Sequence, residues 1–352
     1  MSRYWSPCIK TLSPYVPGEQ PGNSKLIKLN TNENPYAPSP RVLAAIRENA
    51  NETLRLYPDP DTKALKVAIA EYFGLNPAQI FVGNGSDEIL ALAFLAFFKQ
   101  TRPILFPDIT YSFYRVYGDL FQINAMQIPL SERFDIHLRD YEIPNGGIIF
   151  PNPNAPTGKL LPLSDIEDLM QKNSESVVII DEAYIDFGGE SAVSLIQAFP
   201  NILVLQTLSK SRSLAGLRVG MAMGDADLIQ GLDRVKNSFN SYPLDRLAAV
   251  GAVAAIKDDA YFENTRRSVM ATRDQTVSKL KKMGFVILTS AANFIFMRHE
   301  REGAETLFKQ LRERGILVRY FNKPRISNYL RVTIGTPPDM EAFLSALQEI
   351  LP

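Results

Sequence analysis

The sequence predicts an α/β protein in which a large domain with a doubly wound, mostly parallel sheet is followed by a small α/β domain. Three observations support this prediction. Short apolar segments alternate with helical patterns as far as residue 224. Residues 177–180 read Val-Val-Ile-Ile, and such an uninterrupted apolar strand is typical of a parallel sheet covered on both faces. Beyond residue 224 the chain becomes helical and then ends in short strands and helices, which indicates a second unit.

The composition limits the classes of partner. A length of 352 residues favours two domains over one. Lys plus Arg and Asp plus Glu each number 38, so no basic excess attracts nucleic acid or an anionic membrane. The longest apolar run, residues 89–98, is too short to cross a bilayer, and the N-terminus lacks the apolar core of a signal peptide. We therefore expect a cytoplasmic protein.

Cysteine and histidine are sparse in this sequence. Cys8, the single cysteine, cannot form an internal disulfide and fits a reducing compartment. His137 and His299 lie far apart and lack the spacing of zinc ligands, so neither a metal centre nor a histidine-based nucleophile is expected. Other side chains must carry the chemistry.

Residues 1–28 are predicted to form an extended arm, because they contain several Pro and Gly and show little periodicity. A polar, amide-rich loop follows at residues 28–35. The helix predicted over 61–73 begins after a turn at 57–60 and ends before Gly74. The strands predicted in this part cover 80–82, 104–106, 125–129 and 147–150, and the helices cover 40–49, 61–73, 86–99 and 112–121.

The second part of the chain contains two helix-start signals. Residues 164–167 (Ser-Asp-Ile-Glu) have the spacing of a capping box, and Pro337-Pro338 favours a first helical turn. Strands are predicted here over 177–180, 202–205, 219–223, 286–289, 294–297, 317–319 and 330–334, and helices over 192–198, 226–236, 243–257, 261–283, 301–314 and from 337.

A glycine turn, Gly83-Asn84-Gly85-Ser86-Asp87-Glu88, connects a predicted strand to a helix. Backbone N–H groups at a helix N-terminus can bind phosphate. The turn lacks the third glycine of a dinucleotide fingerprint and the lysine of a P-loop. Asp87 and Glu88 would also satisfy the helix dipole without a ligand, so ordinary capping remains an alternative.

Lys210 lies just beyond a short apolar strand. Burial at such a position lowers the pKa of a lysine, which suits it to attack a carbonyl and form a Schiff base. Hydroxyl donors (Ser209, Ser211 and Ser213) and fixed positive charges (Arg212 and Arg218) surround it in sequence. This combination favours an aldehyde that carries a phosphate, namely pyridoxal 5'-phosphate (PLP). The alternative is a solvated surface lysine beside a serine-rich turn.

Other strand ends carry residues that would suit the same cofactor. Asp181, at the end of strand 177–180, could pair with the pyridine nitrogen and keep it protonated. Tyr184 could hydrogen-bond the phenolic oxygen of the ring, and Tyr111 could stack on the ring face. The candidates for holding the phosphate are the backbone amides of Gly85, Ser86 and Asp87, together with Ser209 and Arg218.

In several segments the sequence resembles the histidinol-phosphate aminotransferases, a family with the fold-type-I PLP-transferase architecture. The resemblance covers nearly the whole chain. The matching segments are Leu29-Asn30-Thr31-Asn32-Glu33-Asn34-Pro35, Tyr57-Pro58-Asp59, Gly85-Ser86-Asp87-Glu88, Pro153-Asn154-Ala155-Pro156-Thr157-Gly158, Asp181-Glu182-Ala183-Tyr184, Ser209-Lys210, Gly216-Leu217-Arg218 and Leu330-Arg331-Val332-Thr333-Ile334-Gly335.

The resemblance implies roles for these residues. Lys210 would bind the PLP aldehyde and move the proton during transamination, and Arg331 would bind the α-carboxylate of the substrate. Tyr57 would reach the cofactor phosphate of a partner subunit, which implies a homodimer with shared active sites. Three further positions resemble substrate contacts, with the last near the substrate phosphate: Tyr15, Asn32 and Arg319.

The order of the predicted elements divides the chain into three parts. The arm, residues 1–28, is expected to pack with the small domain, 266–352, and the large PLP-binding domain is expected to cover 29–265. The resemblance includes one departure. The family commonly has asparagine directly before Pro-Thr-Gly, where it donates to the phenolic oxygen of the ring. Here that position is Ala155, so either Asn154 takes this role or Tyr184 acts alone.

The predicted function is transamination between L-histidinol phosphate and 2-oxoglutarate, in histidine biosynthesis. An aromatic amino-acid aminotransferase and a threonine-phosphate decarboxylase are alternatives on the same scaffold. A PLP-binding regulator would need a DNA-binding domain, for which the chain has no spare basic segment. A nucleotide-binding oxidoreductase would depend on the incomplete G-x-G turn.

Overall fold

The computed structural model describes residues 2–20 and 26–351. Its strands form sheets of seven, four and two members. The strands are β1 Ile27–Lys28, β2 Ile80–Asn84, β3 Ile104–Pro107, β4 Ala125–Ile128, β5 Ile148–Pro151, β6 Val178–Asp181, β7 Ile202–Thr207, β8 Val219–Gly224, β9 Phe285–Ile287, β10 Phe294–His299, β11 Ile316–Leu317, β12 Arg319–Tyr320 and β13 Leu330–Thr333. The α-helices are α1 Pro40–Asn49, α2 Lys63–Phe73, α3 Gly85–Ala93, α4 Phe113–Phe121, α5 Leu163–Lys172, α6 Ala226–Phe239, α7 Arg246–Lys257, α8 Asp259–Lys282, α9 Ala304–Glu313 and α10 Pro337–Ile350.

The large sheet has the order β2-β8-β7-β6-β5-β3-β4. The strands from β7 to β4 pair in parallel, and β8 is antiparallel to both of its neighbours. Every residue of β5, β6 and β7 is buried, as the apolar runs predict. The prediction of a mostly parallel α/β sheet is therefore confirmed.

Helices cover both faces of this sheet, and each face has its own core. Val178 and Ile180 of β6 contribute to one core, whereas Ile179 contributes to the other, because successive side chains of a strand point to opposite faces. The first core includes residues of α1, α2, α5 and α7, and the second includes residues of α3, α4 and α6. The last residues of β5, β6 and β7, Pro151, Asp181 and Thr207, line one cavity together with Arg319 and Arg331 of the small sheet.

The small sheet has the order β12-β13-β10-β9 and packs with α9 and α10 around a separate core. The end of the arm joins this unit, because β1 pairs in parallel with β11. Helix α8 runs without a break across residues 265 and 266. A domain boundary at that point stays a prediction, with α8 as the connection between the two units.

Several predicted elements differ from the observed ones. The capping box at 164–167 is absent: α5 begins at Leu163 after Pro162, so Ser164 lies inside the first turn and makes no cap. Residues 192–198 form a short 3₁₀ helix, Ala192–Leu195, instead of an α-helix. The helix predicted over 86–99 begins at Gly85 and ends in a π-helical turn, Phe94–Phe98. By contrast, α10 begins at Pro337 as predicted, with a capping box formed by Thr336 and Asp339.

Within the residues that the structure describes, no helix combines the length and the apolar character that a membrane crossing requires.

Candidate active site

A cavity of about 200 Å³ lies between the carboxyl ends of the parallel strands and the small sheet. It brings together residues that are far apart in the sequence. The sequence-predicted candidates that line it are Tyr15, Asn32, Ser86, Asp87, Tyr111, Asp181, Tyr184, Ser209, Lys210, Arg218, Arg319 and Arg331. Gly85, Asn154 and Tyr57 are the remaining candidates, and they lie outside the cavity lining.

Lys210 follows the turn after β7 and is half-buried. Its Nζ donates a hydrogen bond of 3.0 Å to the carbonyl oxygen of Thr31. The Asn34 side chain donates to the carbonyl oxygens of Lys210 and Ser211, at 3.0 and 3.1 Å. The amide-rich loop at residues 28–35 therefore holds the main chain of Lys210 through Asn34 and accepts a hydrogen bond from its amine through Thr31.

Asp181 ends β6 and is buried. Its Oδ2 accepts a hydrogen bond of 2.9 Å from the Tyr114 hydroxyl, and its Oδ1 accepts one of 3.2 Å from the backbone N–H of Ala183. Burial raises the pKa of the Asp181 carboxyl to about 6, although these two hydrogen bonds oppose the increase. A cationic ring N–H would compensate for the cost of ionising this carboxyl.

The N-terminus of α3 lies close to β8, and two glycines allow this approach. Gly85 has a φ of +77°, and a Cβ there would lie 2.5 Å from Nη2 of Arg218. A Cβ on Gly220 would lie 2.5 Å from the backbone nitrogen of Ser86. Gly85 thus packs against the Arg218 guanidinium. Arg218, Ser86 and Ser209 line this end of the cavity.

Asp87 shares this end of the cavity with Arg218. Its Oδ2 lies 3.3 Å from Nη2 of Arg218, and its Oδ1 accepts a hydrogen bond of 2.8 Å from Tyr111. Burial raises the pKa of Tyr111 well above its ordinary value, so the phenol keeps its proton. These contacts offset the charge of Asp87 and fix the ring of Tyr111 beside the cavity.

Tyr184 is oriented by a chain of hydrogen bonds from the small sheet. Its hydroxyl accepts a bond of 3.0 Å from Nδ2 of Asn32. Asn32 has a φ of 60°, and its backbone N–H and Oδ1 both bond to the Thr333 hydroxyl, at 3.0 and 2.9 Å. Asn293 donates to the Asn32 carbonyl oxygen at 3.0 Å. Because its amide group is committed in this way, Asn32 positions Tyr184 in addition to lining the cavity.

Arg319 and Arg331 are direct cross-strand partners on β12 and β13. Nη2 of Arg331 donates to the Asn30 carbonyl oxygen at 2.9 Å, and its Nε has no hydrogen-bond partner among the described residues. Burial lowers the pKa of the Arg331 guanidinium, and Arg319 lowers it further. In the described part of the chain, neither arginine pairs with a carboxylate, and like charges placed opposite each other are destabilising. Such a pair favours an anionic ligand.

Arg319 also connects the arm to the cavity. Its Nη2 donates to the Val16 carbonyl oxygen at 3.3 Å, and its Nη1 lies 3.5 Å from that of Pro17. Tyr15 stacks on Phe113 of α4 with ring centroids 4.4 Å apart. The arm thereby reaches from Arg319 of the small sheet to helix α4 of the large unit, and Tyr15 lines the cavity on the way.

Asn154 and Tyr57 lie elsewhere. The Asn154 amide donates to the Ile109 carbonyl oxygen and to the Thr157 hydroxyl, both at 3.0 Å, while Ala155 lines the cavity. Tyr57 is 80% exposed and stacks on Tyr242 with ring centroids 4.8 Å apart. Neither side chain reaches the cofactor candidates of its own chain.

Comparisons with known proteins identify close relatives. The model of the class I and II aminotransferase family matches residues 24–347. The chain is 60% identical over 351 residues to histidinol-phosphate aminotransferase 1 of Hydrogenovibrio crunogenus, covering 100% of this chain and 99% of that protein. It is 59% identical over 347 residues to the histidinol-phosphate aminotransferase of Pseudomonas putida, covering 99% of this chain and 100% of that protein.

Solved structures share the fold. The histidinol-phosphate aminotransferase of Sinorhizobium meliloti, in complex with pyridoxal-5'-phosphate, has a TM-score of 0.90 at 23% identity and covers 100% of this chain and 98% of that one. The enzyme of Clostridium acetobutylicum has a TM-score of 0.84 at 24% identity, with coverages of 92% and 99%. Together with the sequence relatives, these similarities confirm the resemblance: the chain belongs to the histidinol-phosphate aminotransferase family within the class I and II aminotransferases.

Proposed function

We propose that the protein is a PLP-dependent transaminase that transfers the amino group of L-histidinol phosphate to 2-oxoglutarate. The observation that carries the substrate assignment is the pair Arg319 and Arg331 on one side of the cavity that contains Lys210 and Asp181. Histidinol phosphate and glutamate both carry anionic groups that such a pair can bind. Relatives at about 60% identity bear the name of this activity.

The residues present fit PLP. Arg218, Ser209 and the Ser86 end of α3 form a cationic and hydrogen-bonding cradle, which a Cβ at Gly85 or Gly220 would disturb. Asp181 is a buried carboxylate that needs a cationic partner. When bound, PLP withdraws electrons from the amino-bearing carbon of the substrate and makes its proton acidic.

The chain's own residues then have distinct tasks. Lys210 Nζ would hold the cofactor aldehyde in the absence of substrate, and its free amine would accept the proton from the amino-bearing carbon of the donor. Asp181 would keep the proton on the pyridine nitrogen. Tyr184 accepts from Asn32, so its own hydroxyl proton is available for the phenolic oxygen of the ring.

The two arginines would serve the two substrates differently. Arg319, at the edge of the cavity beside the arm, would bind the phosphate of histidinol phosphate, and Arg331 would bind the α-carboxylate of glutamate. Tyr15 precedes Val16, whose carbonyl oxygen accepts from Arg319, and it lines the same cavity, so it would contact the bound donor. Ala155 offers a methyl group at the cavity, so Tyr184 would act on the ring oxygen without Asn154.

The test is a donor screen with the purified, PLP-loaded protein and 2-oxoglutarate, in which glutamate formation is measured. We expect kcat/KM for histidinol phosphate to exceed that for phenylalanine by at least about a hundredfold, because phenylalanine leaves a phosphate-binding arginine unpaired. A preference for phenylalanine would identify an aromatic aminotransferase. Release of carbon dioxide from threonine phosphate without glutamate formation would identify a decarboxylase.

We further propose a homodimer in which Tyr57 reaches the cofactor phosphate of the partner subunit. The support is an exposed apolar surface around the Tyr57–Tyr242 stack, which a second copy would cover. The other large apolar side chains exposed near it in the sequence are Leu54, Leu56 and Phe239. Arg246 donates to the Tyr57 carbonyl oxygen at 3.3 Å and so fixes the segment that presents this ring.

A cytoplasmic location completes the proposal. It rests on the single cysteine of the chain and on the charge balance. Fractionation of cells that express the protein at native level would test it, and recovery in the periplasmic or membrane fraction would contradict it.

A further inference from the structure

Tyr114 is a fully buried phenol whose hydroxyl bonds to a proposed cofactor ligand. It belongs to the first turn of α4, where its ring lies among Phe94, Phe106 and Tyr111. The hydroxyl donates to Oδ2 of Asp181 at 2.9 Å. A phenylalanine ring would fill this aromatic cluster equally well. The hydroxyl group of Tyr114 is polar and buried, so it requires an acceptor, and that acceptor is the Asp181 carboxylate at the end of β6.

The carboxylate has few other stabilising partners. Oδ1 accepts from the Ala183 backbone N–H at 3.2 Å, a longer bond than that from Tyr114. The titratable groups near it are Asp87 of α3, Tyr114 and Tyr117 of α4, and Lys210 and Tyr184 of the cavity lining. Asp87 opposes ionisation of Asp181, whereas the Tyr114 hydroxyl favours it. Because burial raises the pKa of Tyr114 well above its ordinary value, this phenol acts as a permanent donor.

We propose that Tyr114 is a positioning residue, which fixes the Asp181 carboxylate and keeps it ionised so that it can hold the proton on the pyridine nitrogen of PLP. The inference rests on the proposed function, since it assigns the reason for a hydrogen bond to the proposed cofactor ligand. It gives α4 a role in the chemistry beyond filling the core. Tyr114 is not among the residues that line the cavity, so it would act through Asp181.

The test compares Tyr114→Phe with Tyr117→Phe. Tyr117 lies on the same helix, is also buried, and donates to the Asp87 carbonyl oxygen at 2.8 Å instead of to Asp181. Both variants therefore lose one hydroxyl group from one aromatic cluster. The measurement is the dissociation constant of PLP between pH 5 and 9, followed by the absorbance of the bound cofactor, with thermal unfolding of the PLP-free proteins as a control for folding.

Loss of a hydrogen bond to an ionised group makes that group harder to ionise. In Tyr114→Phe we expect the decline of PLP affinity on acidification to begin about one pH unit higher than in the parent protein, with about tenfold weaker binding near pH 6. Tyr117→Phe should leave the pH profile in place. An identical profile for both variants would overturn the inference and leave Tyr114 as a core residue.

A double-mutant cycle keeps the test decisive even if Tyr114→Phe is less stable. Asp181→Asn has no carboxylate to ionise, so adding Tyr114→Phe to it should change PLP affinity by less than about twofold. A full tenfold loss in that background would show that Tyr114 acts independently of Asp181 and would refute the proposal. Failure of the proposed function would be seen in the parent protein, which would then bind no PLP or turn over no histidinol phosphate. Failure of the Tyr114 inference would be seen only in the comparison of the variants.

Discussion

At the residue scale, Lys210 gives the most direct prediction. Lys210→Ala should reduce transamination by at least about a thousandfold, because it removes the amine that binds the cofactor and moves the proton. The fold should remain, since the Lys210 side chain makes one hydrogen bond, to Thr31. Steady-state turnover and thermal unfolding measure the two effects. Lys99→Ala, at an exposed lysine, is the control, and turnover near the parent level in Lys210→Ala would refute the assignment.

Arg319 and Arg331 allow the two substrates to be separated. Arg319→Ala should weaken the histidinol phosphate half-reaction by about 2–4 kcal/mol, the scale of a lost charge-assisted bidentate contact, and spare the glutamate half-reaction. Arg331→Ala should affect the glutamate half-reaction first, because histidinol phosphate lacks an α-carboxylate. Stopped-flow measurement of each half-reaction checks both variants. Arg319→Lys, which keeps the charge but loses the planar fork, should give an intermediate loss.

Equal losses in both half-reactions for Arg319→Ala would contradict a role in phosphate binding. They would instead fit a role in holding the arm, through the carbonyl oxygens of Val16 and Pro17.

Glu182 provides a prediction about stability at a residue outside the cavity lining. Burial raises its pKa from 4.5 to about 7, against hydrogen bonds from Ser191, Ala192 and Gln206. The native state therefore binds an extra proton between these values. Below about pH 4.5 Glu182 is protonated in both the folded and the unfolded state, and its contribution to the unfolding free energy is fully present. As the pH rises towards 7, the carboxyl ionises more readily in the unfolded state than in the folded state, so this contribution is lost.

The glutamine variant at this position does not titrate. The difference in unfolding free energy between the parent and Glu182→Gln should thus decline by a few kcal/mol from pH 4.5 to 7 and then stay constant. Urea unfolding of the PLP-free proteins at several pH values measures it. A difference that is flat with pH would mean that Glu182 ionises normally in the folded protein.

At the scale of elements, strand ends were the part of the site that the sequence could reveal. Apolar runs predict β6 and β7, and a parallel sheet brings their carboxyl ends together, so residue order alone places Asp181 and Lys210 at one edge of the sheet. Tyr114 could not be assigned in this way, because helical periodicity marks it as a core residue. Its contact with Asp181 spans 67 positions in the chain, and that of Asn32 with Thr333 spans 301.

The course of the main chain decided two features that local patterns left uncertain or predicted wrongly, namely the hydrogen bonds of Asn154 and the start of α5. Ser164 has the sequence of an N-cap, but the N-cap of α5 is Pro162, two residues earlier. Asn154 precedes Ala155 in a motif-like segment, yet its side chain is taken up by the Ile109 carbonyl oxygen and Thr157. Hydrogen bonds within a loop depend on its backbone course, which residue spacing does not determine.

The approach of β8 to α3 can be tested with one methyl group. Gly220→Ala places a Cβ 2.5 Å from the Ser86 nitrogen and 2.6 Å from the Gly85 carbonyl carbon, so the start of α3 must move. We expect a loss of about 1–3 kcal/mol in unfolding free energy and weaker PLP binding. Denaturant unfolding and PLP titration measure these effects. Gly216→Ala, where a Cβ meets no atom within 4 Å, is the control, and equal behaviour of both variants would contradict this account.

At the scale of the whole molecule, the cavity depends on three parts of the chain. The large sheet supplies Asp181 and Lys210, the small sheet supplies the two arginines, and the arm supplies Tyr15. The arm is held to the small unit by the pairing of β1 with β11 and by the bond from Arg319 to Val16. A movement of the small unit would therefore carry both arginines relative to Lys210, and it would strain the stack of Tyr15 on Phe113 that ties the arm to α4.

The proposed homodimer adds a fourth part, Tyr57 of the partner subunit, and this can be tested by mixing two variants. Tyr57→Ala and Lys210→Ala damage different residues of a shared site. In a mixed dimer one site carries both changes and the other carries neither. Random reassortment of equal amounts makes half of the dimers mixed, so about a quarter of the parent activity should return.

The measurement is turnover after co-refolding of the Tyr57→Ala and Lys210→Ala proteins, with each variant alone as the control. Activity that stays at the average of the two separate variants would mean that Tyr57 serves its own subunit or none, and the shared-site dimer would be rejected.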